Sequence, residues 1–322
     1  MKIYDYSFLE NGLLPAGLIN IASAISELRE RENGRKDNFS EIFTKLESIA
    51  KVQSVKGSNE IEGIITSDQR VNEIVNQNSA PLNHNEQEIA GYRDALKLVH
   101  DNYINLDIRE RDIQNLHEIM LSYSPVNGVE ASETKNAMEQ LILAFMDARS
   151  NYSINQLLLI PCFILDFLCI HPFADGNGRM SRLLSLLLLY KNGFDAGKYI
   201  SFEEQINLSK AAYYQSLKDS SDGWHENKNS YFPFMENFVT TLLFCYKELD
   251  KRFAVVGSTK VTKRKRIEAT VLGSLLPISK KEICYILPDV SPTTVEAVLS
   301  EMIKNELVEK IGSARNTKYI RT

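Results

Sequence analysis

The stretch from Cys169 to Leu184, CIHPFADGNGRMSRLL, breaks the most apolar region of the chain with residues that can do chemistry. Gly176 and Gly178 let the backbone turn tightly and approach a ligand closely. A helix beginning near Gly178 would present free N–H groups and the positive end of its dipole, a ready anion site. Arg179 and Arg182 are three apart, on adjacent faces of a first turn where acidic residues are usual, which suits a polyphosphate. Asp175 offers a single carboxylate of the kind Mg²⁺ uses when it shares its ligands with phosphates. His171, closing a buried helix, is placed to take a proton from an incoming hydroxyl. Each feature alone is ordinary: His-Pro starts loops, Gly-Asn-Gly makes turns, and arginines at helix starts are usually solvated. Their concentration between His171 and Arg182 points to a phosphate-ligand site.

The elements on either side must hold these groups. Asn155 to Ile170 and Met180 to Asn192 are apolar nearly all round, as helices buried on every side are. Pro172 to Asn177 is the loop between them. Helical periodicity governs the rest: Leu18 to Arg31, a polar break from Glu30 to Asn38, Ser40 to Val55 with Gly57 as a stop, Glu86 to His100, and Asp112 to Ser122. No internal repeat or low-complexity tract occurs.

The last fifth of the chain differs from the rest in charge. Thr259 to Thr322 holds 12 basic and 7 acidic residues, net +5, and the preceding chain 25 basic and 35 acidic, net −10. With Gly257-Ser258-Thr259 before a basic run, the shift marks a domain boundary. Beyond it, Ser279 and Glu282 fit a capping box, Pro288-Asp289 a turn, and Ser291-Pro292 an N-cap with proline at the first helical position. A helix from Pro292 to Lys304 and strands from Leu307 to Ile311 and Thr317 to Arg321, joined through Gly312, complete a winged helix-turn-helix pattern. Three regions follow: an N-terminal helical region (1–90), a helical core with closing helices (91–256) and the small C-terminal domain (257–322). The fold class is mainly α.

With 322 residues and 43% hydrophobic and 25% charged side chains, the chain has the composition of a globular protein with a sizeable core. A net charge of −5 argues against a chain built mainly to grip nucleic acid. Cys162, Cys169, Cys245 and Cys284 lie in apolar runs without metal-ligand spacing, and read as buried thiols of a reducing compartment. No signal-peptide pattern opens the chain. Ile154 to Ile170 is the most membrane-like run, but it carries Gln156, Pro161 and Asp166 and falls short of the ~20 residues a span requires. A cytoplasmic protein is expected.

His171-Pro-Phe-Ala-Asp175-Gly-Asn-Gly-Arg179-Met-Ser-Arg182 resembles, position for position, the Fic signature HPFx(D/E)GNGRxxR. That resemblance implies a helical-bundle enzyme that moves AMP from ATP to a hydroxyl side chain of a target protein. It assigns His171 as general base, Asp175 to Mg²⁺, Gly176, Asn177 and Gly178 to the anion hole with Asn177 on the α-phosphate, and Arg179 and Arg182 to the β/γ end. Toxins of the death-on-curing branch usually carry lysine at the position of Gly178, a departure absent here.

Ser58-Asn-Glu-Ile-Glu62-Gly63 by itself reads as a helix N-cap with acidic residues in the first turn. Beside the Fic signature it resembles the inhibitory motif (S/T)xxxE(G/N) of that family. The resemblance implies a glutamate, Glu62, that pairs with Arg182 where the ATP γ-phosphate would lie, in the class with an N-terminal inhibitory helix. In some relatives the same glutamate serves removal of AMP from a modified target. Tyr213 and Tyr214 fall where the family often places aromatics near adenine, whereas Trp224 reads as core.

Fic enzymes normally carry a β-hairpin flap before the core helices. Ser122 to Thr134 shows no pair of strand-like runs, so the flap is either reduced or interrupted by a break between Pro125 and Ala131. The implied partners are a protein bearing a hydroxyl, this chain itself, and a second copy in a homo-oligomer. A DNA-binding regulator with a nucleotide-sensing core is the rival reading. Lys263 to Arg266, Arg315 and Lys318 support it. The helix Pro292 to Lys304, with Glu296, Glu301 and only Lys304 basic, does not.

Overall fold

A computed structural model describes residues 2–36, 39–124, 132–257, 262–272, 274, 277–287, 290–312 and 317–321. The chain divides into two compact units, 1–247 and 248–322. The first unit is helical: α1 (Phe8–Asn11), α2 (Ala16–Lys36), α3 (Ser40–Ile61), α4 (Asp68–Gln77), α5 (His84–Asn102), α6 (Glu110–Met120), α7 (Ser132–Ser150), α8 (Gln156–Ile170), α9 (Asn177–Lys191), α10 (Phe202–Leu208), α11 (Lys210–Ser221) and the greater part of α12 (Phe232–Gly257).

The apolar helices α8 and α9 are buried on all sides, as their composition requires. Leu183, Leu184 and Leu186 to Leu189 are at most 1% exposed, and full burial of one such side chain contributes about 1.5–3 kcal/mol. Asn155 caps α8 by accepting the Leu157 N–H. In α8 a carboxylate interrupts this apolar packing. The Asp166 carboxylate accepts from the Tyr6 hydroxyl at 2.7 Å and the Trp224 Nε1–H at 2.6 Å. The Tyr231 hydroxyl donates to it as well, at 2.9 Å. Trp224 is therefore core, with its polar edge answered.

Two helices run past the stops expected of them. The polar stretch from Glu30 stays helical to Lys36. Glu27–Arg31 and Glu32–Arg35 pairs, at 2.9 and 2.5 Å, staple its last turns, and Lys36 reaches Asp195 at 2.6 Å. Gly57 likewise does not end α3. It is a point of close packing, since a Cβ there would lie 3.0 Å from the Glu204 backbone nitrogen of α10. Gly91 plays the same part where α5 meets the Met120 carbonyl at the end of α6.

The second unit contains α13 (Lys263–Leu272), β1 (Ile278–Ser279), α14 (Lys280–Ile286), α15 (Pro292–Lys304), β2 (Val308–Ile311) and β3 (Lys318–Arg321). Its sheet has the antiparallel order β1-β3-β2, with Ile278 opposite Tyr319 and Lys310 opposite Tyr319 on the other side. Ser279 and Glu282 form a full capping box, and Ser291 caps α15 with Pro292 following. Ile267, Ile283, Val295, Leu299 and Val308 build its own small core.

The four cysteines are free thiols. Cys162 and Cys245 are buried as expected, but Cys169 and Cys284 are only half-buried. No helix among the described residues is long and apolar enough to cross a membrane.

Candidate active site at the start of α9

His171 ends α8 in the left-handed region (φ 54°), with its N–H on the Phe167 carbonyl at 3.0 Å. Pro172 then prevents the helix from continuing. The loop that follows is tied from inside by Asn177. Its Oδ1 accepts the Phe173 N–H at 3.0 Å and its Nδ2 donates to the Phe173 carbonyl at 2.6 Å. His117 of α6 donates from Nε2 to the Asp175 carbonyl at 2.9 Å and stacks on Phe173, ring centroids 3.8 Å apart. Gly176 turns with φ 83°, and a Cβ there would strike the Met120 methyl. Glycine is required twice over at this position.

Helix α9 starts at Asn177. The Met180 N–H bonds the Gly176 carbonyl at 2.8 Å. Among the described residues, no protein group accepts from the amides of Asn177, Gly178 or Arg179. These residues line a cleft of about 350 Å³ together with Glu62, Ile64, His84, Glu88, His171, Ala174, Asp175 and Gly176. Unpaired N–H groups and a positive dipole end facing a cleft are an anion cradle.

Both signature arginines are 2% exposed and hold carboxylates. Arg179 pairs through Nη1 with Glu88 of α5, itself buried, and lies 3.5 Å from Asp175 through Nη2. Arg182 donates from Nε to the Ser58 hydroxyl at 2.8 Å. Its Nη2 donates to the Ser58 carbonyl at 2.9 Å and to Glu62 Oε1 at 2.7 Å. Ser58 therefore does not cap the start of a helix. It sits in the last turn of α3, whose carbonyl end attracts a cation. Burial opposes the charge on Arg182, but Glu62, Tyr213 and Tyr92 outweigh it and hold its pKa above the ordinary value.

The remaining predicted residues gather here in part. Tyr213 is buried against Phe234, ring centroids 5.9 Å apart, and burial raises its pKa although Arg182 and a hydrogen bond with Ser181 oppose the shift. Tyr214 is 42% exposed, edge-on to Tyr213. Asp175 Oδ1 accepts the Gly176 N–H at 2.7 Å, and the side chain is 56% exposed. An exposed carboxylate beside an anion cradle fits Mg²⁺, which needs only one or two carboxylates when phosphates supply the rest. Among the described residues no group of three His, Cys, Asp or Glu forms a protein-only metal cage. The flap segment with its expected break, Pro125 to Ala131, lies outside the described residues.

Three contributors escape a reading of the sequence: Glu88, His117 and Tyr92. The only available signal is indirect. A buried Arg179 demands a counter-charge, and nothing in the spacing says that Glu88 supplies it.

A profile of the Fic/DOC family matches residues 103–189, which include the loop and most of α9. Over residues 103–189 the chain is similar to Fic/DOC domains. A Fido domain-containing protein of Dictyostelium discoideum is 38% identical over 80 residues, 24% of this chain and 56% of that one. A protein adenylyltransferase Fic of Nematostella vectensis is 25% identical over 258 residues, 69% of this chain and 58% of its own. The chain thus spans somewhat more than half the length of these curated relatives. A Fic family protein structure from Desulfovibrio desulfuricans superposes with a TM-score of 0.63 at 19% identity, covering 96% of this chain and 97% of that one. This likeness shows a shared helical fold.

Proposed function

We propose that this Fic-like domain transfers AMP from ATP to a hydroxyl side chain of a protein, and that Glu62 restrains the transfer. One observation carries the reading. The three unpaired amides that open α9 line the same cleft as His171 and Asp175, while a carboxylate already rests on Arg182 at the cradle. A carboxylate bound by an arginine at a helix start is chemically what a terminal phosphate would be.

In the forward reaction, His171 takes the proton of the target hydroxyl as its oxygen attacks the α-phosphorus. A new oxygen–phosphorus bond forms to the target, the bond from the α-phosphorus to the bridging oxygen breaks, and pyrophosphate leaves. The protein's part is positioning and charge compensation. The amides of Asn177, Gly178 and Arg179 receive phosphate oxygens, and Arg179 and Arg182 balance the leaving end. Asp175 is the residue that would hold Mg²⁺, whose contribution is to neutralise charge on the phosphates.

We read the second unit as a winged helix that docks protein. The charge pattern does not favour DNA: Glu296 and Glu301 of α15 pair with Lys280 and Arg264 at 2.9 and 2.8 Å, which consumes basic groups.

The test uses the full chain and radiolabelled ATP. Glu62→Gly should label protein, in a lysate or on itself, more strongly than the native chain, and adding His171→Ala should abolish the signal. Absence of any His171-dependent label with Glu62→Gly overturns the proposal.

A further inference from the structure

Ser54 and Ser58 of α3 and Glu62, its C-cap, follow one another four residues apart along a single ridge. The two serines are fully buried. Ser58 faces Arg182, as described. Ser54 donates to Glu203 Oε2 of α10 at 2.7 Å. Tyr92 of α5 donates to Glu203 Oε1 at 3.0 Å. The Ser201 hydroxyl completes the cluster, 2.9 Å from Ser54 and 3.3 Å from Glu203.

This cluster is unusual in its charge. Glu203 is fully buried, and among the described residues its direct partners are hydroxyls and no Lys or Arg. A carboxylate so placed is a costly way to fill space, which a well-packed apolar group would fill at least as stably. What hydroxyl–carboxylate bonds supply and apolar packing does not is direction. Here they fix both the rotation and the height of α3. A one-residue change of register turns a helix by about 100° and would swing the ridge, with Glu62, away from Arg182.

Two neighbouring features act in the same sense. Gly57, between the two serines, brings the α3 backbone against Glu204 without an intervening side chain. On the other flank Asn207 donates to Glu60 at 2.8 Å.

We propose that Tyr92 and Glu203 are positioning residues of the restraint: by fixing the register of the Ser54–Ser58–Glu62 ridge they hold Glu62 on Arg182. This rests on the reading of Glu62 as a restraint. Neither residue lines the cleft, although the Tyr92 hydroxyl acts electrostatically on Arg182.

The experiment compares the native full chain, Tyr92→Phe, Glu62→Gly and the Tyr92→Phe/Glu62→Gly double variant. Tyr92→Phe keeps the ring and removes one hydroxyl. Amide hydrogen exchange is followed for residues 58–63, with Leu183 to Leu189 of α9 as the internal reference, and labelling is followed with radiolabelled ATP. Exchange at 58–63 should rise about tenfold in Tyr92→Phe, the effect of losing one bond to a charged acceptor, with α9 unchanged. Labelling should rise in Tyr92→Phe and rise no further when Tyr92→Phe is added to Glu62→Gly.

Exchange that stays at the native rate, or that increases equally in α9, overturns the proposal. So does labelling unaltered by Tyr92→Phe, or increased by the same factor with and without Glu62. If Glu62→Gly itself labels nothing, the transferase reading falls and the exchange measurement alone decides the role of the cluster. Glu203→Gln, which keeps the acceptor oxygen on Tyr92 but loses the charge, should give a smaller rise at 58–63, and takes the place of Tyr92→Phe if that variant does not fold.

Discussion

Gly178 lies directly beneath the Glu62 carboxylate: a methyl carbon at position 178 would overlap Oε1. The backbone there is ordinary helix, so alanine costs nothing in conformation and improves helix propensity by about 1 kcal/mol. Gly178→Ala should displace Glu62 from Arg182 and lower thermal stability, because a buried cation that loses its carboxylate costs more than the gain in helix propensity. Unlike Glu62→Gly, it should not gain transferase activity, because its methyl group also fills the amide cradle. ATP affinity by calorimetry should fall. Labelling as strong as that of Glu62→Gly would place the phosphates elsewhere.

Asn177 uses both ends of its amide on one residue, accepting from and donating to the Phe173 backbone. Aspartate keeps the acceptor and loses the donor, setting a carboxylate oxygen against the Phe173 carbonyl. Asn177→Asp should lower stability by about 1–3 kcal/mol, the cost of an unanswered buried polar group. It should also weaken ATP binding by adding negative charge at the anion site. Urea unfolding of the apo chain measures the first effect separately from the second.

Arg179 is buried and rests on Glu88. Removing the carboxylate strands a cation, so Glu88→Ala should destabilise by about 3–5 kcal/mol. Glu88→Gln, which still offers an oxygen, should cost less. A loss in Glu88→Ala no larger than in Glu88→Gln, read from denaturant midpoints at constant m-value, would show that Arg179 finds another partner.

The legible parts of this protein are the local ones. The loop from His171 to Arg182 declares its chemistry because consecutive side chains share one turn, and α8 and α9 are readable because apolarity on every face leaves only the caps to locate. The polar break from Glu30 to Asn38, which contains Gly34, and the stop at Gly57 mislead for a physical reason. Glycine weakens an isolated helix, yet ion pairs carry α2 past Gly34, and the close approach to α10 makes Gly57 an asset inside α3. Long-range polar pairs were illegible. Glu88 and Arg179 are 91 positions apart. Asp166 is visible in sequence only as a charge that spoils a membrane helix, and its partners Tyr6, Trp224 and Tyr231 come from both sides of the Fic signature. The Ser58 segment lay between these cases. Its residue types alone suggest a helix start, and only Arg182 explains why they end one.

The segment that follows Glu62 is anchored by a second carboxylate, which gives the fold a defined acid response. Glu86 of α5 accepts from Arg70 of α4 twice, at 3.1 and 2.8 Å, from the Leu82 N–H at 2.9 Å and from the Thr66 hydroxyl at 3.2 Å. The Arg70 hydrogen bonds, ahead of the other donors, hold the Glu86 pKa at about 2, against 4.5 for an ordinary glutamate. With the folded value depressed, the unfolded chain binds the proton first as pH falls. The contribution of Glu86 is then complete above about pH 4.5 and is lost progressively between 4.5 and 2. Asp166 works in the opposite direction, since burial raises its pKa and protonation relieves it, so the total pH dependence mixes the two. The difference between native chain and Glu86→Gln isolates the first. Glu86→Gln should be less stable than the native chain at pH 7, and the gap should narrow as pH is lowered through 4.5 towards 2, read from urea midpoints at each pH. A gap that stays constant over that interval would mean that the Arg70–Glu86 contact is equally strong without its charge.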